Sequence, residues 1–478
     1  MNGTVNRIEH NEAFPKNVIE QAYAASRIRI ANHLARRLDL RSKTVFTFGD
    51  TADEQTSCAF SVYPNGIGWQ LGIHVADICE FVPEGSPIDI EARRRLAAVS
   101  NGFVKTEMLP EKLKELCTLT VGEDRLALSV LLDISSDGAL QDITCEESII
   151  RVAQHCVYSE VDQYGITADT SAVFALREKY APIEKKLEAL YNIAAMFYSQ
   201  RISKGGIDLT VFRRVYDRDE NGNITDIRLE SEADLRAMVR EIGYFVSKSL
   251  GELLHKKKIP AIYVGQQAVD RETLDFLATL VGVDKEYSND FEYMYAVAEN
   301  SKASPYYEFV CNAISAGLPC NSFSDKPINH VLCVSDKVVS FLSPTARYAD
   351  ILTQRMIKTA ISAKYDAKNL NLNKKRREAQ QAAEEATRTQ EYLFEVARQI
   401  RNASIREYLE NSNESSFVGF PIYKDESGSL LIIMECGLQA QVTAEDAKDF
   451  EFEPAKPYSF EIVAFGTETQ PIILKPVE

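Results

Sequence analysis

Four apolar, β-branched segments placed before residue 135 constrain the fold of this chain most strongly. They span 44–48, 59–63, 69–78 and 126–134, and glycine, asparagine or aspartate borders them, as is usual for strands. Two longer segments downstream, 180–200 and 232–254, have the composition of helices instead. Strands combined with long helices in one region are typical of α+β domains, so we predict a mixed α+β fold.

The two ends of the chain differ from this central region. Residues 1–44 contain a polar leader and then an amphipathic segment, which predicts one helix over 15–38. Residues 373–412 are rich in alanine, glutamate, glutamine, arginine and lysine, which predicts a long connecting helix. Residues 413–478 contain five short apolar segments separated by turn residues, a pattern compatible with a small OB-type barrel. We therefore predict four parts: 1–44, 45–372, 373–412 and 413–478.

The formal net charge of −16 argues against a general nucleic-acid binder, since neutralising phosphates supplies most non-specific affinity. A local basic channel remains possible, because net charge does not fix the local potential. The acidity is uneven: residues 414–478 contain twelve acidic and four basic residues, a net charge of −8. Charge therefore favours a protein partner over RNA, especially at the C-terminal barrel.

Composition also bears on metals and membranes. The nine cysteines include no Cys-x-x-Cys pair and the six histidines are scattered singly, so neither zinc nor another transition metal is expected. The chain has no signal-like N-terminal segment and no apolar run long enough to span a bilayer. We expect a cytoplasmic protein without a membrane partner.

An ordered series of motifs carries the functional information. Residues 47–59 read Thr-Phe-Gly-Asp-Thr-Ala-Asp-Glu-Gln-Thr-Ser-Cys-Ala, residues 71–78 read Leu-Gly-Ile-His-Val-Ala-Asp-Ile, and residues 343–350 read Ser-Pro-Thr-Ala-Arg-Tyr-Ala-Asp. Together with segments at 84–92, 108–119 and 124–130, they resemble the signature segments of the ribonuclease II / ribonuclease R (RNB) exoribonuclease family. The resemblance covers roughly residues 20–410. It implies an RNB-type mixed α/β domain, followed by a long helix and an OB-type barrel.

The same resemblance locates the metal site. Family enzymes degrade RNA from its 3′ end with magnesium, which four aspartates hold. In this chain the four positions fall on Gly49, Gln55, Ser57 and Cys58. Magnesium prefers carboxylate and water oxygens, whereas these residues offer no side chain, two neutral oxygens and a soft thiol. We therefore expect no metal cofactor at these positions.

A second family feature is missing far downstream. The family has two adjacent arginines after its Ser-Pro segment, and the first of them lies near the scissile phosphate. Here these positions are Ala346 and Arg347. A methyl group cannot replace a guanidinium that stabilises phosphate charge. Both halves of the catalytic apparatus are degenerate, which predicts a protein that is catalytically inactive.

The alternative is an active magnesium-dependent 3′–5′ exoribonuclease with a rebuilt metal site. Its candidate ligands are the remaining carboxylates Asp50, Asp53, Glu54 and Asp77. Aspartate is also common in turns, where it bonds to the backbone, and Asp77 belongs to a strand motif. A metal site needs several convergent oxygens, so we favour structural roles for these residues.

Some candidate RNA contacts are kept. The segment 157–161 resembles one whose tyrosine stacks on a base near the 3′ end, which implies Tyr158. A core role for this tyrosine is equally compatible with the sequence. The segment 239–241 resembles the Ile-Glu-Glu of a core helix and places Glu241 on the second glutamate. Arg347 is retained from the arginine pair.

A basic cluster begins the long helix and comprises Lys374, Lys375, Arg376 and Arg377. It could contact phosphates, although a solvated helix face is the more common role of such a run. Three functions remain open: an inactive RNB-type protein that binds RNA weakly or a protein partner, an active exoribonuclease, and a purely protein-binding module. The missing aspartates favour the first.

Overall fold

The computed structural model describes residues 13–28, 30–100, 105–164, 171–220, 223–284, 286–365, 372–412, 414, 416–466 and 470–477. In chain order, the elements up to residue 164 are α1 (Lys16–Ala25), β1 (Leu38–Asp39), β2 (Val45–Gly49), β3 (Cys58–Asn65), β4 (Gly68–Ala76), α2 (Pro87–Arg95), β5 (Val99–Ser100), β6 (Lys105–Thr106), α3 (Glu111–Cys117), β7 (Asp124–Ile134), β8 (Leu140–Val157) and α4 (Tyr158–Tyr164).

The middle of the chain is mainly helical. Its elements are α5 (Ser171–Tyr180), α6 (Glu184–Ser203), β9 (Phe212–Arg218), β10 (Ile224–Ser231), α7 (Asp234–Lys256), β11 (Tyr263–Gly265), α8 (Arg271–Val281), α9 (Asp290–Ser301), α10 (Tyr307–Gly317), β12 (Ser322–Ser324) and α11 (Tyr348–Ser362). The C-terminal part contains α12 (Leu372–Asn411), β13 (Phe417–Lys424), β14 (Leu430–Met434), β15 (Gln439–Val442), α13 (Ala444–Ala447), β16 (Tyr458–Ala464) and β17 (Ile472–Pro476).

A six-stranded sheet in the order β1-β8-β2-β3-β4-β7 forms the centre of the molecule. The long strand β8 pairs antiparallel with β7 over 140–151 and parallel with β2 over 152–157, so it joins the two sides of the sheet. The sequence did not predict β8, because its first half alternates with charged residues. Its last residue leads directly into α4 and brings Tyr158 beside the end of β2.

Both faces of the sheet are buried. On one face Phe46, Leu71 and Leu128 pack in a core with residues of α6 and α7. On the other face Val45 and Ala59 pack in a core that includes α1, α2, α11 and α12. The ends of β2 and β3 are therefore held between two cores, which fixes the position of the segment that joins them.

The C-terminal strands form the closed barrel β13-β14-β15-β17-β16. Ile405 and Leu409 of α12 and Ile224 of β10 complete its core, so the barrel is packed against the helix and the hairpin. These elements confirm the predicted architecture, a mixed α+β region followed by a long helix and an OB-like barrel.

The aromatic residues of the barrel pack mainly against one another and against its core. The Phe450 ring lies edge-on to Phe460 and Tyr458, and it stacks on Phe452. Phe420 meets Phe309 of α10 with 5.9 Å between ring centroids. These rings therefore pack against the protein and do not form an open row along the barrel.

The single helix expected over 15–38 is wrong. α1 ends at Ala25, and a separate 3₁₀ helix covers Ile30–Arg36. The break follows from packing, because the second segment carries Arg37 into the protein, where its guanidinium donates to the buried Asp77. No helix among the described residues is both long and apolar enough to cross a membrane.

Candidate functional site

The two segments with the predicted site positions meet at one place in the fold. Gly49 is the last residue of β2 and Cys58 the first of β3, and we call residues 50–57 between them the site loop. The Ser57 hydroxyl lies 3.2 Å from that of Thr345, whose neighbour is Ala346. The carbonyl of Ala346 accepts a 2.7 Å hydrogen bond from the backbone of Ala98. The sequence-predicted site residues from both ends of the domain therefore converge.

The space beside Gly49 is already filled. A Cβ atom there would lie 2.7 Å from Oε2 of Glu54 and 2.9 Å from Cε1 of His155. The Glu54 carboxylate accepts a hydrogen bond from the backbone N–H of Asp50. Partial desolvation raises the pKa of Glu54, an effect that the nearby His155 opposes. A carboxylate on residue 49 would have to displace these two side chains.

His155 is fixed by two hydrogen bonds. Its Nε2 lies 2.9 Å from the carbonyl oxygen of Thr51, which can only accept, so Nε2 carries the proton. Nδ1 lies 2.8 Å from the Thr47 hydroxyl, which can either donate or accept. This imidazole therefore holds the site loop against β2, a role for which its isolated position in the sequence gave no signal.

Tyr158 has two protein side chains against its ring. Phe48 stacks on one face, with 6.1 Å between centroids and 17° between planes. The guanidinium of Arg236, in the first turn of α7, lies 4.4 Å from the ring centroid. Arg236 also forms an ion pair with Asp50 of the site loop. Burial raises the pKa of Tyr158, so its hydroxyl stays protonated at neutral pH.

The remaining loop residues offer little to a divalent cation. The side-chain amide of Gln55 donates to Glu111 at 3.2 Å, and burial raises the pKa of Cys58 to about 12. Asp53 is exposed and pairs with no described residue. The Asp50 carboxylate pairs with Arg236, and the Glu54 carboxylate accepts from the backbone of the site loop. The described residues at this position do not fit a magnesium ion.

Asp77 belongs to a different cluster. Asp77, Glu80 and Glu147 come within 4.8 Å of one another, close enough to hold an ion. Two cations already lie among them: Lys358 pairs with all three carboxylates at 2.5–2.7 Å, and Arg37 lies 2.6 Å from Asp77 and 3.0 Å from Glu80. Burial would lower the pKa of Lys358, but the three carboxylates raise it overall. The two cations compensate two of the three carboxylate charges.

Arg347 is partly available. It caps the start of α11, and its Nη2 donates to the buried Asp350 at 2.9 Å. Its Nε is buried without a hydrogen-bond partner among the described residues. The side chain is 34% exposed, so part of the guanidinium can still meet a ligand.

Glu241 is not available to a ligand in the same way. Its carboxylate accepts from Nε and Nη2 of Arg201 at 2.8 and 2.5 Å, and both side chains are about 90% buried or more. The pair forms part of the wall of a cavity of about 700 Å³ between α6 and α7. Arg201 could not be recognised from the sequence, because it lies outside every motif.

The basic cluster at the start of α12 is divided. Lys375 pairs with Glu84 at 2.5 Å, and Lys374 pairs with Glu378 at 3.4 Å. Arg376 and Arg377 are exposed. Half of the cluster is therefore compensated, and half can meet an anionic partner.

Comparisons with known proteins identify the family of this chain. The family model for the RNB domain matches residues 37–363. Ribonuclease R 1 of Lactococcus lactis subsp. lactis (strain IL1403) is 25% identical over 415 residues, which cover 85% of this chain and 50% of that protein. The chain thus spans about half the length of the curated relatives it matches.

Solved structures show the same fold. RNase R of Mycoplasma genitalium, in its apo form and with ribose methylated single-stranded RNA, matches with a TM-score of 0.80 at 18% identity, covering 97% of this chain and 76% of that one. Yeast Ssd1, a pseudonuclease, matches with a TM-score of 0.62 at 18% identity, covering 90% and 52%. The structural likenesses establish the fold, and the family match spans more than half of the residues: the chain belongs to the exoribonuclease-like RNB domain family.

Proposed function

We propose that this protein is a catalytically inactive, cytoplasmic member of the family that binds single-stranded RNA weakly. The crowding around Gly49 carries the proposal, since Glu54 and His155 fill the space in which a metal-binding carboxylate would have to stand. The lost arginine at Ala346 supports it. Yeast Ssd1 shows that the fold occurs in a pseudonuclease.

Weak RNA binding follows from the remaining contacts. The ring of Tyr158 is contacted by both Phe48 and Arg236, and Glu241 is bound to Arg201. Arg347 and the exposed Arg376 and Arg377 can still contact phosphates. We expect a Kd of roughly micromolar or weaker at physiological salt, typical of non-specific contacts, and a marked weakening as salt rises. Fluorescence anisotropy of labelled single-stranded RNA over a salt series tests this.

Arg236→Ala is expected to tighten RNA binding, although it removes a positive charge. Its loss would open one face of Tyr158, and stacking of a base on an aromatic ring is worth about 1–3 kcal/mol. The lost cation–π contact and the lost positive charge offset part of this gain, so we expect a net increase of about 3- to 10-fold in RNA affinity. The gain should disappear in the Arg236→Ala, Tyr158→Ala double variant.

Arg271→Ala is the matched control. Its guanidinium lies 4.4 Å from the Tyr293 ring centroid and pairs with Asp290, far from the site loop in sequence and in a separate core. This variant should leave RNA affinity unchanged. Weaker RNA binding by Arg236→Ala would instead show that Arg236 contacts phosphate. It would contradict the proposal that Arg236 prevents a base from stacking on Tyr158.

A protein partner at the barrel is the second candidate, and it rests on charge. Residues 414–478 carry a net charge of −8, and the barrel aromatics pack largely against the protein. Such a surface repels RNA and suits a basic protein surface. Exchanging exposed barrel carboxylates such as Asp449 and Glu451 for lysine would weaken a protein interaction and strengthen RNA binding.

A further inference from the structure

A cavity of about 860 Å³ lies where the starts of α8 and α9 meet the loop after β12, and we call it the α8–α9 cavity. Its wall comes from three segments of the chain, within 267–270, 288–291 and 329–336. Among the described residues that line it, none belongs to the site loop, α6 or α7. Its volume lies within the range of small-molecule sites, and the proposed function does not use it.

The segment 329–336 holds a buried histidine against this cavity. His330 is 6% exposed, and the backbone N–H of Cys333 donates to its Nδ1 at 3.4 Å. Burial lowers the pKa of His330 to about 4, so the ring is neutral at physiological pH and its proton is on Nε2. Nε2 has no hydrogen-bond partner among the described residues, and it is not one of their enclosed unpartnered atoms. Its N–H is therefore open to the cavity that His330 lines.

The same segment is fixed by its own backbone. The N–H of His330 donates to the Ser335 carbonyl at 2.9 Å, and the N–H of Val331 donates to the Gln266 carbonyl at 3.0 Å. Val334 has a φ of 51°, a left-handed conformation that β-branched residues rarely adopt. Strained positions of this kind cluster at ligand sites. The wall around His330 is therefore pre-formed, as small-molecule sites usually are.

The charged groups around the cavity are balanced. Each of its three carboxylates has a partner in the protein: Asp270 with Thr273, Asp290 with Arg271, and Asp336 with Lys337. Two cations thus offset two carboxylates, and the partial charges at the starts of α8 and α9, about +0.5 each, offset the third. No lysine or arginine is among the described lining residues, and none of these residues belongs to a group that could hold a metal ion. A neutral ligand is therefore favoured over a cation or an anion.

The uncommitted polar groups of the wall include both donors and acceptors. Four groups have no hydrogen-bond partner among the described residues: the side-chain amides of Gln267 and Asn329, the hydroxyl of Ser288 and Nε2 of His330. The rest of the wall is partly apolar, since Val269 and Val331 are buried and Phe291 lies beside them in the lining. A ligand for this cavity needs several groups that donate and accept, together with one apolar face.

We propose that the α8–α9 cavity binds a neutral saccharide. Each sugar hydroxyl both donates and accepts, which matches the amides, the hydroxyl and the imidazole N–H of the wall. The C–H face of the sugar ring would pack against Phe291 and the two valines. The ribose of RNA carries similar hydroxyls, but its phosphates would meet three carboxylates and no lysine or arginine in the described lining. This site is independent of weak RNA binding near the site loop.

Saturation-transfer difference NMR with the full chain tests the proposal. The probes are glucose, galactose, mannose, ribose, N-acetylglucosamine and maltose, each monosaccharide paired with its phosphate ester. At least one sugar should bind with a Kd of about 1 mM or below, and its phosphate ester at least about fivefold more weakly. Absence of binding by every sugar at about 10 mM would overturn the proposal. Equal or tighter binding of the phosphate ester would do the same, and displacement of the sugar by a short single-stranded RNA would identify RNA as the occupant instead.

Two variants locate the binding. Ala268→Phe fills the cavity and should abolish it, whereas Asn329→Ala removes one exposed amide and should weaken it about 3- to 10-fold, the worth of one hydrogen bond. Asn300→Ala is the matched control, because this exposed amide of α9 donates to the Ala296 carbonyl outside the cavity. Its sugar affinity should equal that of the wild type. Unchanged sugar affinity in folded Ala268→Phe or in Asn329→Ala would overturn the assignment to this cavity.

Discussion

Arg37→Met is expected to lower the free energy of unfolding by about 3–5 kcal/mol, the range for removing one partner from a buried ion pair. The Arg37 side chain is 3% exposed and lies between Asp77, which is fully buried, and Glu80. With methionine at position 37, the three carboxylates would keep Lys358 as their one arginine or lysine partner among the described residues. Urea denaturation at neutral pH measures the loss.

The decrease in the free energy of unfolding caused by Arg37→Met should be smaller at acidic pH. Burial acts to raise the pKa of Glu80, but Lys358 and Arg37 leave it lowered in the folded protein. Such a group stabilises the fold above its unfolded pKa, near 4.3, and this contribution disappears as pH falls through the folded pKa. The variant lacks much of this contribution. The difference in the free energy of unfolding between wild type and variant should therefore decrease below about pH 4.

Arg41→Met provides the control for the network. Arg41 pairs with Asp39 and Asp124, but its side chain is 30% exposed, and such pairs contribute about 0–1 kcal/mol. Equal decreases in the free energy of unfolding for Arg37→Met and Arg41→Met would contradict a stabilising role for the buried network. Stabilisation of the wild type by magnesium would show that the three carboxylates take a cation despite Arg37 and Lys358.

Gly49→Asp is expected to destabilise the protein by about 1–3 kcal/mol, as overpacking usually does. Glu54 can rotate away because it is a flexible side chain, but the His155 ring is held by Thr47 and Thr51. The new carboxylate at position 49 should therefore clash mainly with the His155 ring. In a double-mutant cycle, His155→Ala should recover part of the loss caused by Gly49→Asp.

Gly243→Ala is a suitable control for this cycle. A Cβ atom there would meet Leu342 at 3.3 Å, and alanine is the better helix former within α7. This substitution should be close to neutral and additive with His155→Ala. Full stability of the single Gly49→Asp variant would mean that the site accepts a carboxylate, which would weaken the case for inactivity.

The sequence predicted much of the fold because its patterns are local. Alternating apolar residues, turn residues and alanine-rich composition each act within a few turns or strands, and they located β2, β3, β7, α12 and the barrel strands. The prediction failed for β8, because charged residues at one edge interrupt its apolar alternation. It also missed the break after α1, which depends on the burial of Arg37.

The candidate site was predictable only in part. Motif order was enough to expect that the segments around Gly49 and Ala346 belong to one site. The groups that fill or cover it, Glu54, His155 and Arg236, depend on side-chain reach between elements distant in sequence. The pairing of Glu241 with Arg201 has the same origin, since 40 residues separate them. None of these contacts produces a sequence pattern.

The central claim is the absence of RNA hydrolysis, and a degradation assay tests it most directly. Single-stranded RNA labelled at its 5′ end is incubated with the full chain and magnesium or manganese, with an EDTA control, and the products are separated on a denaturing gel. The account predicts full-length RNA at every time point, indistinguishable from EDTA. A metal-dependent ladder of 3′-shortened products, lost in Asp50→Asn or Asp53→Asn but kept in the surface control Asp142→Asn, would contradict it and establish a rebuilt active site.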